Sequence, residues 1–261
     1  MSEVWLHPTA IVSPSATLGS CVRLGPYAVV EGPAVLEEGV VVGPHAVVGP
    51  YVRLAKGVEV HAHAVLGGRP QDLGFQEQQT WVEVEAGAVI REGVTVHRST
   101  SADRPTRVGA GSYLMAYAHV AHDCQIGEGV VITNNVMLAG HVQVGDKAVI
   151  GGGSAVHQYV RIGKGAMVGG MVGVGQDILP FMMAVSTPAR HYRLNAVGLR
   201  RIGVSGERYR ALEAAWRALR EGRGIEDLPE TQEIAELRAF LRAPSKRGIA
   251  RFTTLEHPGD E

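Results

Sequence analysis

Every sixth residue from Leu6 onward is a branched aliphatic. Leu6, Val12, Leu18, Leu24, Val30 and Leu36 open the series, and of the 29 positions at that spacing from 6 to 174 only Asp72, Gln78 and Ala102 are not Leu, Ile or Val. A second column, four residues on, is small throughout: Ala10, Ala16, Val22, Ala28, Ala34, Val40. A helix repeats every 3.6 residues and a plain strand every two, so neither keeps a period of six on one face. Short strands separated by tight turns do. The glycines that often follow the aliphatic position, such as Gly19, Gly25, Gly43 and Gly127, suit those turns. One large and one small inward residue per hexad predicts a narrow, mainly β solenoid.

The register breaks twice. Gly67–Glu83 reads as filling one coil's length without the pattern, and Arg98–Arg107 as replacing about one hexad. Both stretches are polar and turn-rich, and read as loops thrown out of the solenoid, where function tends to sit. After Pro180 the hexads stop. Tyr209, Leu212, Trp216 and Leu219 fall at helical spacing, with Ser205 as a candidate N-cap and Gly222 as a stop, and 229–243 reads as a second amphipathic helix. The expected domains are therefore 1–183, the solenoid, and 184–261, a small C-terminal α-helical domain.

Composition adds limits. Net charge is −1, with no field suited to nucleic acid or an anionic membrane. The charge is uneven: residues 1–188 carry 11 Lys and Arg against 15 Asp and Glu, whereas 189–261 carry 14 against 11. Cys21 and Cys124 are too few for a disulfide framework, and Cys124 falls in an inward small slot. A reducing, cytoplasmic setting is expected, since the N-terminal stretch lacks the basic start and apolar run of a signal peptide and no apolar stretch is long enough for a transmembrane segment.

Candidate chemistry gathers in "AYAHVAHDCQIGEGV", residues 116–130. With three hexads to a coil, residues i and i+18 stack. His122 then lies under Gly140, and Gly140 under Gln158; Asp123 lies under His141, with His157 on the same edge one coil higher. An imidazole is suited to moving a proton near neutral pH, and a glycine N–H above it could stabilise an oxyanion. Three readings stand beside each other: acid–base catalysis, polar turns without chemistry, and a zinc site shared between subunits. The last is weakened by the H-x-x-H spacing of His119 and His122 and by the adjacent Asp123. His45, His61 and His63 lie in turns without obvious company.

The hexads resemble those of the acyltransferases that fold as left-handed parallel β-helices. Beyond them, "QDL" (71–73), "IREGVTVHRST" (90–100), "AHVAHDC" (118–124), "LAGHV" (138–142), "GGGSAVHQ" (151–158), "VGGMVGVGQD" (168–177) and "GLRR" (198–201) resemble the UDP-N-acetylglucosamine O-acyltransferases of early lipid A synthesis. The resemblance implies acyl transfer from acyl carrier protein, whose phosphopantetheine carries the chain, to a sugar 3-hydroxyl, with no cofactor of the enzyme's own. It implies His122 as general base, Asp123 as its orienting partner and the Gly140 N–H as oxyanion donor. His119 is similar to a supporting histidine, His141, His157 and Gln158 to donor and acceptor contacts, and Asp72 to a contact with the acceptor sugar. Gly170 matches a position where a small residue leaves the acyl groove long. Asn195 and Arg201 match nucleotide-side positions contributed by a neighbour in a homotrimer, and the arginine-rich C-terminal segment gives an acidic carrier protein somewhere to dock. Departures cluster at the nucleotide-sugar end: Gly74 stands where the family usually has lysine, Ser186–Pro188 replaces a "GNH"-like stretch, and Val197 and Ile202 replace a glutamate and an arginine. An amino group at the sugar 3-position is thus an alternative acceptor.

Overall fold

The computed structural model describes residues 3–253, so the expected domain ends at 1 and 261 lie outside the described residues. Strands of two to five residues stack into sheets of eleven, nine and eight strands, which form the three faces of a prism. The first face begins with Trp5–Leu6, the second with Ile11–Val12 and the third with Thr17–Leu18. Stacking is parallel at an offset of 18 along most of the prism; on the second face Val120 pairs with Leu138, and Leu138 with Val156. The aliphatic column points inward, and Leu24, Leu36, Leu54, Leu66, Ile90, Leu114, Ile126 and Leu138 are fully buried. Burying one such side chain contributes about 1.5–3 kcal/mol, so a long, thin prism can close around a single file of them. Among the described residues, no helix is long and apolar enough to cross a membrane.

The turns follow a common pattern. At most turns the residue three past the inward aliphatic adopts the left-handed conformation, as in Tyr27, His45, His63, Tyr117, Asp123, Asn135, His141 and Tyr159, with φ between 57° and 65°. Residues other than glycine enter that region at a cost, Asn, Asp and His most readily. Side chains at this position stack along the prism edge, which gives company to two of the turn histidines: the rings of Tyr27 and His45 lie 5.0 Å apart, and those of His45 and His63 5.1 Å apart, nearly parallel. His61 sits within 3.5 Å of both Glu59 and Glu92.

Both breaks in the hexad series leave from the corner between the second and third faces. On the third face Leu54 pairs with Val84, 30 positions on, and Val84 with Val108, 24 on, instead of 18. Residues 67–83 therefore do not take the place of a coil. Val82 and Val84 return to the inward and stacking pattern, both buried, and twelve extra residues are extruded from a coil that stays closed. The second excursion adds six.

The hairpin of Met182–Val185 and Arg190–Leu194 prolongs the first face, so the expected division after 183 falls inside a strand. Helices α1 (Ala196–Arg201), α2 (Gly206–Arg220) and α3 (Gln232–Arg242) follow. The inward face of α2 is Ala211, Leu212, Ala215 and Ala218, turned from the expected one; Trp216 and Tyr209 are only partly buried against it. The chain then returns to the prism through bridges Asp177–Ile249 and His191–Phe252. Two buried polar groups fasten this end. Arg161 donates to Asp177 at 2.7 Å and lies 4.3 Å over the Phe240 ring. His191 accepts from the Leu179 N–H at 2.9 Å, and its Nδ1 lies 2.9 Å from the Ala250 carbonyl, to which it donates.

Candidate active site

The corner that releases the two loops also carries His122 and Asp123, then Gly140 and His141, then His157, Gln158 and Tyr159, one coil above another. The backbone N–H at the position two past the inward aliphatic is not needed by the fold, because Pro8, Pro14, Pro26, Pro44 and Pro50 occupy it elsewhere; only its carbonyl is used, as when His122 accepts from the His141 N–H at 3.0 Å. His122, Gly140 and Gln158 hold that position here. Among the described residues no acceptor receives the Gly140 N–H. Gly140 covers the His122 ring so closely that a Cβ on it would fall 2.5 Å from Cε1 and 2.7 Å from Nε2. Glycine is required there by proximity, since its backbone is not in the left-handed region.

His122 Nδ1 lies 2.7 Å from Asp123 Oδ2. Burial works to raise the Asp123 carboxyl, but the hydrogen bonds from His122 and Thr100 outweigh it and hold the group below the usual carboxylate range. The carboxylate is thus ionised at neutral pH and fixes the imidazole with its proton on Nδ1 and its lone pair on Nε2. His141 Nε2 lies 3.6 Å from the same oxygen; its ring meets His122 edge-on and stacks on Tyr159 at 4.5 Å. Burial lowers His141 below its ordinary value, against the pull of Asp123 and Asp72. Asp72 of the first loop is itself exposed and accepts the Gly74 N–H at 2.8 Å.

A groove of about 680 Å³ runs along the second face from this edge, lined by Thr95, His97, His119, His122, Gly140 and Gln158, with Gln71 of the first loop and Met137 among the rest. His119 Nδ1 lies 2.7 Å from Thr95 Oγ1, and its ring is edge-on to His97 at 5.0 Å. Burial and the neighbouring imidazoles press His97 down to about 4 and lower His119 as well, so this wall is neutral. A second hollow, about 400 Å³, opens across the edge on the third face, between Thr100, Asp123, His141, Tyr159 and Lys246.

The remaining candidates are dispersed. His157 is exposed, with Nδ1 3.2 Å from the Gln158 carbonyl, and does not line the groove. Gly170 stacks on Gly152 at the other edge of the second face. Asn195 is buried as the N-cap of α1, its side-chain oxygen on the Gly198 N–H and its amide on the Gly165 carbonyl, and Arg201 is exposed at the end of that helix. Cys124 is fully buried, its thiol pushed up by burial to about 12, and it takes no part. Reading by hexads passed over Thr100 and Thr106, which hold Asp123, and His97; all lie in or beside the second excursion. The matched stretch "HRST" was the available signal for the first and last.

His122, Asp123 and His141 could also offer three ligand atoms to a metal, all within 4.8 Å of one another. Tetrahedral ligands at zinc bond lengths stand about 3.3 Å apart. The 2.7 Å from His122 to Asp123 is instead the length of a shared proton, and both Asp123 oxygens are already occupied by donors.

Residues 177–250 match the family model described as UDP N-acetylglucosamine O-acyltransferase, domain 2, and residues 105–140 match the bacterial transferase hexapeptide repeat. The acyl-[acyl-carrier-protein]–UDP-N-acetylglucosamine O-acyltransferase of Thermodesulfovibrio yellowstonii is 39% identical, the match covering 96% of this chain and 100% of that one. The enzyme of the same description from Sulfurihydrogenibium sp. is 53% identical over 95% and 94%. Among solved structures, the UDP-N-acetylglucosamine O-acyltransferase of Moraxella catarrhalis superposes with a TM-score of 0.86 at 34% identity, covering 94% of this chain and 99% of that one. That of Bacteroides fragilis gives 0.90 at 31% identity over the same shares. The prism shares the left-handed parallel β-helix of these enzymes.

Proposed function

Because the chain belongs to the UDP-N-acetylglucosamine O-acyltransferase family, we propose that it transfers an acyl chain from acyl carrier protein to the 3-hydroxyl of UDP-N-acetylglucosamine, with His122 as the base. The observation that carries the reading is the pairing of a carboxylate-held imidazole with an unengaged backbone N–H directly above it. His122 Nε2 takes the proton of the sugar hydroxyl as its oxygen attacks the thioester carbonyl. The Gly140 N–H receives the negative charge that develops on the carbonyl oxygen. Collapse breaks the carbon–sulfur bond, and the imidazolium returns its proton to the departing pantetheine thiolate. Asp123 stays ionised throughout and stabilises the imidazolium. His119 and the groove of the second face, which Gln158 also lines, receive the acyl and pantetheine chain, Asp72 meets the sugar, and His141, His157 and Gln158 contact donor and acceptor.

The working unit is a homotrimer, in which the exposed Arg201 completes a neighbour's site, whereas Asn195 is spent on capping α1. The apolar exposure of the second face at Ile11, Val65 and Met137 supports an interface. Carrier protein docks near the C-terminal helices, where Arg200 and Arg201 are exposed at the end of α1 and drawn into no ion pair among the described residues. The cytoplasm suits a chain whose only cysteines are Cys21 and Cys124. Transfer from acyl carrier protein to UDP-N-acetylglucosamine by the purified protein, with the 3-amino analogue in parallel, tests the reading. Turnover of the analogue alone would overturn the choice of acceptor. Light scattering that gave a stable monomer at micromolar concentration would overturn the shared site.

A further inference from the structure

Asp123 needs one oxygen for His122, yet the second excursion loop engages both. Thr100 donates its backbone N–H to Oδ1 at 3.0 Å and its hydroxyl to Oδ2 at 2.7 Å. At the far end of the same loop Thr106 Oγ1, fully buried, accepts the Asp123 N–H at 2.8 Å. A carboxylate with a single partner can turn; one held by two donors from the loop and a third from the imidazole has a single orientation. The hold reaches further. The Thr100 carbonyl accepts Gln78 Nε2 at 2.7 Å, and Gln78 belongs to the first excursion, the one that bears Asp72. Arg98, buried against Tyr51 and Phe75, donates to the Gln78 carbonyl at 3.2 Å and to Glu77 at 2.8 Å, which ties the two loops together at their base.

We propose that Thr100 is the positioning residue of the base, and that through it the first loop and the His122–Asp123 pair form one mechanical unit. Thr100 acts on the base through Asp123, to which it donates both its N–H and its hydroxyl. By fixing the carboxylate it keeps the proton on His122 Nδ1 and leaves Nε2 free to accept the substrate's. The loop that meets the acceptor sugar is thereby joined to the group that deprotonates it.

The test compares Thr100→Val, which keeps the backbone N–H and the branched shape but loses the hydroxyl, with Thr100→Ser, which retains it. Thr100→Val lowers kcat about 10- to 100-fold, as is typical when the group that holds a working histidine is removed, with KM for both substrates near the wild-type value. The acid limb of kcat/KM moves to higher pH, because a carboxylate with one donor fewer carries more charge and favours the imidazolium. Thr100→Ser restores both. Gln78→Ala shows a smaller change in the same direction; wild-type kcat and pH limb in that variant would overturn the link to the first loop. An unaltered kcat and limb in Thr100→Val, or a loss that serine does not restore, would overturn the positioning role. This inference rests on His122 acting as the base. Nitrogen-15 spectra of its ring report tautomer and protonation without substrate. A wild type with no transfer activity would therefore sink the functional reading, whereas a Thr100→Val ring unchanged in tautomer and titration would sink this one.

Discussion

The backbone of Gly140 lies against the imidazole of His122 closely enough that one added methyl group would occupy the ring's place, 2.5 Å from Cε1. One coil of the solenoid thus supplies the base and the next supplies the N–H, at a spacing fixed by strand stacking. Gly140→Ala should lower kcat by two decades or more, as for loss of an oxyanion donor, because the ring or the backbone must shift. The fold should survive, since φ at 140 lies in a region open to alanine. Gly175→Ala, where an added Cβ meets nothing within 4 Å, is the control. Steady-state kinetics and a melting curve on both variants check this.

Removing the imidazole is expected to cost more than removing its partner. His122→Ala should reduce turnover by roughly two to four decades, the range for a general base. Asp123→Ala should cost less, since it orients the base and transfers nothing. His45→Ala should leave turnover unchanged, although loss of its stacking between Tyr27 and His63 should lower the melting point slightly. Near-full activity in the His122 variant would place the base elsewhere.

Val120 and Leu138 are fully buried in the single file of the core. Lysine at either position would put an unpaired charge where no partner or water reaches. Either substitution should abolish the cooperative melting transition or lower it by more than 10 °C, from a loss of at least about 4 kcal/mol. An unchanged melt would mean that these side chains do not point inward.

Acid should loosen the C-terminal attachment. Burial holds His191 down to about 4, against an ordinary value of 6.5. A histidine kept neutral by the fold binds its proton more readily when unfolded, so stability rises with pH across that interval. Its contribution is complete above about 6.5 and falls away as pH drops toward 4, by about 3 kcal/mol in all. His97, held to about 4 by burial and its neighbouring imidazoles, acts in the same sense. Melting points between pH 7.5 and 4.5 should decline. The decline should be shallower in His191→Gln, whose amide can still accept from Leu179 and donate to Ala250. An equal slope in that variant would remove His191 as a cause.

A strict period of six converts sequence distance into spatial distance. Once three hexads make a coil, the stacking of His122, Gly140 and Gln158, and of Asp123 beneath His141, follows by counting, because each coil repeats the one below. The inward position of Cys124 follows in the same way. The sequence alone therefore determined the β-helix, its buried file and the edge on which the chemistry stands. Counting ceases to work where the period is interrupted. Thr100 reaches Asp123 across 23 residues and Gln78 reaches Thr100 across 22, separations that are not multiples of 18 and that depend on how two extruded loops fold back. Arg161 meets the Phe240 carbonyl 79 residues away because a helix packs on the prism's end. Asn195 turned inward to cap α1, a role that side-chain geometry decides and periodicity does not. The repeat placed the base; only the tertiary folding of the irregular segments decided what holds it still, because contacts made by loops follow no period.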